Sequence, residues 1–194
     1  SAGSTNNDGN ITSTVSVNSA AGFSIVKYTG TGYAQTVGHG LGVAPKLIIV
    51  KDYNATTNSM WQLGTTELGW TKRQEFNSTN VISTTSGIWN DTVPTNQVFS
   101  IGTSGAVSES GGQFIAYCFA ETTGFSQMGW YRGSGQDQGP FITCSFKPKI
   151  VFIKNTEQGT DDWHIFDDQR STSSGGNIIK YRLFPNNNSA ETTT

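Results

Sequence analysis

The sequence predicts an all-β protein, an antiparallel β-sandwich of jelly-roll-like kind, built from a repeated unit whose second copy is incomplete. Three observations predict it. Apolar residues alternate with polar ones in short runs, the period of a half-buried strand rather than of a helix. Turn-forming residues punctuate those runs: Ser, Thr, Asn and Gly make up 85 of the 194 residues. Whole phrases then recur about 102 residues apart.

The strands follow in chain order. Ile11–Asn18 (ITSTVSVN) sets Val15 and Val17 on one face and hydroxyls on the other. Phe23–Tyr28 continues as a second strand, and the glycines of Thr29–Gly32 read as a hairpin turn. Lys46–Lys51 (KLIIVK) is a short apolar run between charges, the mark of a strand covered on both faces. Val98–Gly102, Gln113–Glu121, Phe141–Phe146 and Ile150–Lys154 repeat that logic. The best helical window, Thr65–Gln74, is short and broken by a Thr pair and a Gly.

The repeat is visible in ordered phrases. Gly22-Phe23-Ser24 returns as Gly124-Phe125-Ser126, and Tyr28-Thr29-Gly30-Thr31-Gly32 as Tyr131-Arg132-Gly133-Ser134-Gly135. Seventeen residues after each Tyr comes Pro-Lys and an apolar strand closed by Lys: Pro45–Lys51 and Pro148–Lys154. Trp61 then matches Trp163. The expected organisation is a linker or arm over 1–10, a first β unit over 11–121 and a partial second unit over 122–194. Sixty residues separate Trp61 from Glu121, but only 31 follow Trp163, so the second unit lacks a counterpart of Val98–Glu121. A unit cut short leaves a sheet edge unpaired. Either further chain or another subunit is expected to cover it. The first residue is Ser and the polar end Asn186–Thr194 reads as frayed, so the chain is expected to be processed or part of something longer.

Composition narrows function. With net charge −2 and 13% charged residues, there is no basic cluster to neutralise phosphates, so nucleic acid is not an expected partner. No run of 18 apolar residues suggests a membrane helix. Aromatics at 11% argue for a folded chain, and solubility resting on uncharged polar groups suits an extracellular β-protein.

Catalytic patterns are weak. His39 lies in a glycine-dense turn, Gly38–Gly42, where a ring bonded to backbone is expected. His164 follows Trp163 on a strand, on the opposite face. Ser104 in Gly102–Gly105 imitates a nucleophile elbow but reads as a turn. Asp161, Asp162, Asp167 and Asp168 form doublets whose members face opposite ways on a strand, so a solvated hairpin is expected, not a glycosidase pair or calcium site. Asn6–Asn10 lacks the first acid and closing Glu of a calcium loop. The glycines at 30–32 and 133–135 have no following Lys-Ser/Thr and are not phosphate loops. Cys118 and Cys144, each in an apolar run, read as reduced buried thiols, with a disulfide between them as the alternative. The five tryptophans are expected mainly in the core, Trp89 and Trp130 being the two to check for exposure. No catalytic residue, cofactor or metal is expected.

The phrases Gly22–Gly32, Val37–Lys51, Trp89–Gly102 and Phe114–Glu121, with Gln138–Ile142 and Lys149–Asn155 after them, resemble the DUF7483-type domain, over about residues 15–185. That domain recurs in large virion-associated proteins of marine phages and cyanophages, often tail-fibre or virion structural proteins. Its members commonly continue beyond the second Trp-containing segment. The resemblance implies a non-enzymatic virion protein: a tail-fibre, appendage or capsid-surface decoration module at the virion surface or another extracellular site. Expected partners are copies of itself (a trimer is the arrangement considered), other virion proteins and host-surface glycans. A lectin-like carbohydrate-binding module of a secreted protein is the alternative.

Overall fold

The computed structural model describes residues 3–55, 59–136, 138–170 and 181–193. There the alternating segments become β1 (Ser4–Asn6), β2 (Ser13–Asn18), β3 (Phe23–Thr29), β4 (Gln35–Gly38), β5 (Leu47–Asp52), β6 (Gln62–Thr65), β7 (Lys72–Glu75) and β8 (Ser83–Thr84). A single-turn helix α1 (Ser86–Trp89), β9 (Val98–Ile101), a second turn α2 (Gly105–Ser108) and β10 (Gln113–Phe119) complete the first unit. The second contributes β11 (Ile150–Lys154), β12 (Trp163–Asp167), β13 (Tyr181–Arg182) and β14 (Thr192–Thr193).

The fold is an all-β sandwich. Its large sheet has the order β1-β2-β3-β10-β5-β6-β7-β8, every neighbour antiparallel. Last in the first unit by sequence, β10 is central in space: Phe119 stands opposite both Phe23 of β3 and Leu47 of β5. Its alternation explains the place. Phe114, Ala116 and Cys118 face inward without solvent contact, while Ile115, Tyr117 and Phe119 form the half-buried outer face. There Tyr117 stacks on Trp61 at 6.2 Å, and Phe119 meets Phe23 at 4.8 Å.

The pair β4–β9, with α1 and α2, covers the inner face. Val37, Ile88, Trp89, Phe99, Ile101 and Val107 close the core against Val26, Ile48, Val50 and Phe114. Tyr28 joins the layers: its ring stacks on Phe114 at 5.1 Å, and its hydroxyl donates to the Val107 carbonyl at 2.8 Å. Each fully buried aliphatic or aromatic side chain contributes about 1.5–3 kcal/mol relative to exposure.

The weak helical window is no helix, as the all-β reading expects, and three expectations are revised. Thr65–Gln74 is a turn and then β7, with the Gly69 amide bonded back to Thr65 and Thr66 carbonyls. Thr29–Gly32 is not a hairpin turn, because β3 and β4 belong to different sheets. Instead Gly30 lies against the α2–β10 loop, donating to the Gly112 carbonyl at 2.9 Å, where an added Cβ would collide with the Glu109 carbonyl. Within the stretch read as a linker, Ser4–Asn6 pairs with β2 as an edge strand. Finally, Phe141–Phe146 forms no strand.

That last departure follows the first unit, where the matching residues 38–43 leave β4 at Gly38 and run on as loop; elsewhere in the second unit, strands form where their partners are present. The strand β11 matches β5, and β12 begins at Trp163 as β6 follows Trp61; these two pair with each other as β5 and β6 do. By contrast, 125–131 matches β3, which lies between β2 and β10, and 138–141 matches β4, whose neighbour is β9. Among the described residues the second unit has no strand matching β9 or β10. Strand backbone needs a ladder for its N–H and C=O groups. Segments whose partners are present form strands, and among the described residues 125–131 and 138–141 form none.

The β11–β12 hairpin docks on the first unit through Trp163. Its ring meets Phe76 at 5.0 Å and its indole N–H donates to the Glu75 carbonyl at 3.1 Å, leaving it 6% exposed.

Candidate functional site

Most of the residues singled out for chemistry are held in structural roles, while His164, on β12, leaves its Nδ1 without a hydrogen-bond partner. The His39 ring is buried in the core. Its Nε2 donates to the Thr95 carbonyl at 3.2 Å and Nδ1 accepts from the Leu41 amide at 3.2 Å, a pattern that requires the neutral Nε2–H tautomer. Burial pushes its pKa below the ordinary 6.5. The unfolded chain therefore takes up this proton at a higher pH than the folded chain. Stability is complete above about 6.5 and declines as pH falls through the interval between that value and the folded pKa. Urea midpoints at about pH 7.5 and pH 5 should drop on acidification, and His39→Gln should flatten the slope. An unchanged slope in the variant would contradict the assignment. Some slope remains from His164, whose pKa is lowered by burial and then by Arg182.

Ser104 caps α2, its Oγ accepting from the Ala106 amide at 3.3 Å. The four aspartates belong to the β11–β12 hairpin and are each held by a partner. Asp161 accepts from Asn155 at 2.6 Å and Asp162 from Asn186 at 2.7 Å. Asp167 pairs with Arg170 and Asp168 with Lys149, each at 2.6 Å, and those bonds hold both carboxyls below the usual range. A glycosidase acid needs the opposite shift. Among the described residues, no cluster of three His, Cys, Asp or Glu side chains is placed to hold a metal.

A shallow groove of about 300 Å³ lies between β7, the segment leading into β8, and Gly159. Its carboxylate, Glu75, is already satisfied by Arg73 at 2.9 Å, Asn80 at 2.7 Å and Ser78 at 3.1 Å. No exposed aromatic lines it.

What the structure leaves uncovered is the second unit. Half of the large hydrophobic side chains exposed among the described residues fall between 125 and 152: Phe125, Trp130, Tyr131, Phe141, Ile142, Ile150 and Phe152. Phe141 is 92% and Trp130 75% exposed. Corresponding positions show the contrast. Ile48 and Val50 of β5 are sealed from solvent, whereas Val151 and Ile153 of β11 are only half-buried. Of the tryptophans, Trp70, Trp89 and Trp163 are core, Trp61 is half-buried, and Trp130 alone stands free. Trp89 is thus not a surface residue: it ends α1 pointing inward, edge-on to Trp70 at 5.4 Å.

Across residues 1–194 the chain matches the family model of DUF7483, a domain of unknown function. The chain belongs to this family. No curated protein and no solved structure matches it.

Within this DUF7483 chain, three equivalences that sequence reading missed tie the two units together. Lys51, closing β5, donates to the Ser59 carbonyl, and Lys154, closing β11, donates to the Asp161 carbonyl at 2.9 Å. The Trp61 amide is bound by the Asn77 side chain at 2.9 Å, and the Trp163 amide by Asn186 at 2.8 Å. Leu183 bridges to Ile165 on the side of β12 away from β11, as β7 flanks β6. The polar end read as frayed thus contributes Asn186 to the hairpin. The signal was an Asn downstream of each repeated Trp, at spacings too unequal to notice.

Proposed function

We propose that this chain is a non-enzymatic structural module of a phage virion, part of a tail fibre, appendage or capsid surface, serving assembly and attachment at the host surface. The observation that carries the reading is the uncovered apolar surface of 125–152. A monomeric soluble protein rarely leaves such side chains bare in number, and they mark association surfaces. The phage context rests on the virion setting that the resemblance of the repeated phrases implies. The His39 ring and the four aspartates are each bonded within the fold.

The test is solution mass by light scattering over a range of concentrations. Wild type is expected to form a stable oligomer. Phe141→Ser with Trp130→Ser should shift it to monomer while changing unfolding stability by no more than about 0.5 kcal/mol, as for exposed sites. A wild type that stays monomeric throughout would overturn the assembly reading.

Trp130 favours one second reading, a lectin-like module in which the free indole stacks on a sugar ring. It predicts saccharide binding by the isolated chain on a glycan array, lost in Trp130→Ala.

A further inference from the structure

We infer that the second unit is completed by strand addition: an extended segment with the chemistry of β10, which no described strand of this chain supplies, pairs along the outer edge of β11. The inference rests on the assembly reading only in taking the bare second unit as a contact surface; the identity of the occupant comes from the first unit.

Equivalent edges carry the argument. Strand β5 lies between β6 and β10, in the register Leu47↔Phe119, Ile48↔Cys118, Ile49↔Tyr117, Val50↔Ala116 and Lys51↔Ile115. Its counterpart β11 has the same sequence phrase and pairs with β12 on the side corresponding to β6. Among the described residues no strand pairs with its other edge, the one β10 occupies in the first unit. The backbone groups of that edge form a template for one more antiparallel strand. Side chains on one face repeat the lack: Ile150 and Phe152 are about half exposed, where Leu47 and Ile49 are partly covered beside Phe119 and Tyr117.

The occupant's chemistry follows from β10. Its inner face must be small where it crosses the core, as Ala116 and Cys118 are, and its outer face aromatic or aliphatic, as Ile115, Tyr117 and Phe119 are. Transposed onto β11, the register sets those five positions, 119 down to 115, opposite Ile150, Val151, Phe152, Ile153 and Lys154 in turn. A second copy's own β10 is not free for this role, being bonded along both edges by β3 and β5.

The experiment adds to the intact protein a synthetic peptide with the sequence Gln113–Glu121, carrying Cys118→Ser and flanking lysines for solubility. Binding is read by isothermal titration and amide hydrogen exchange. A 1:1 complex is expected, with exchange at alternate residues of 150–154 slowed at least about tenfold by new ladder bonds. A peptide with Ala116→Lys, which places a charge on the inner face, should bind at least about tenfold more weakly. Absence of binding overturns the inference, as does equal binding of the Ala116→Lys peptide, which would mean unspecific apolar contact. Protection confined to 23–29 and 47–52 would also overturn it, since the peptide would then be replacing β10 in the first unit. An oligomer unaffected by a non-binding peptide would sink strand addition and leave the assembly reading standing.

Discussion

Phe114→Ala is expected to lower the unfolding free energy by about 3–5 kcal/mol, with the denaturant midpoint falling and the slope unchanged. The ring has no solvent exposure and stacks on Tyr28 at 5.1 Å. It also belongs to the strand that joins the two halves of the large sheet. Gly30 and Gly112 both come up against this ring, so the backbone around it is already fitted to its volume and has little room to collapse onto an alanine. Phe125→Ala supplies the comparison: the same atoms are removed from a residue 63% exposed, where surface changes stay within about 0.5 kcal/mol. Similar losses at both sites would contradict the assignment of β10 as the centre of the core.

Trp163→Ala should act on one region rather than on the whole molecule. A two-stranded hairpin is marginal on its own in water. The β11–β12 pair gains its support from the first unit through the Trp163 ring on Phe76 and the indole bond to Glu75, with Phe152 adding a second contact to Phe76 at 6.1 Å. Truncating a buried Trp costs about 3–5 kcal/mol, more than such a hairpin holds in reserve. Amide exchange across 150–167 should therefore rise steeply while that of β10 and β5 stays as in wild type. Equal acceleration in both regions would mean that the two units unfold as one, and the docking contact would lose its special role.

Much of this fold was legible because strand alternation is local and strong. The phrase Phe114–Glu121 reads directly as a strand with small and aromatic faces, and it is one. What sequence does not show is who sits beside whom. Trp89, flanked by Asn90 and Asp91, looks like a surface residue, yet it is buried because Gly64 leaves space for its ring and Trp70 closes over it. Those partners lie far away along the chain. The helices α1 and α2 are four residues each, too short for any 3.6-residue pattern, and only the capping side chains of Thr85 and Ser104 announce them. Phe141–Phe146 has a sound alternating pattern, yet it matches 38–43, which after Gly38 is loop in the first unit as well. At the candidate site, the exposure of Trp130 was anticipated as a question from its polar surroundings. The docking role of Trp163 was not, since nothing in DDWHIFDD points to Phe76.

The two cysteines divide along the same line between the units, with a practical outcome. Cys118 sits on the sealed face of β10, and burial pushes its thiol up to about 12, so at neutral pH it offers neither thiolate nor access. Cys144 is partly exposed, between Phe141 and Phe146, and both thiols are free. A maleimide dye should thus mark the folded wild-type chain at Cys144 alone, in the same unit as the open edge of β11. With no engineered residue, the molecule thus offers one labelling site when folded and a second on unfolding, an internal count of intact cores.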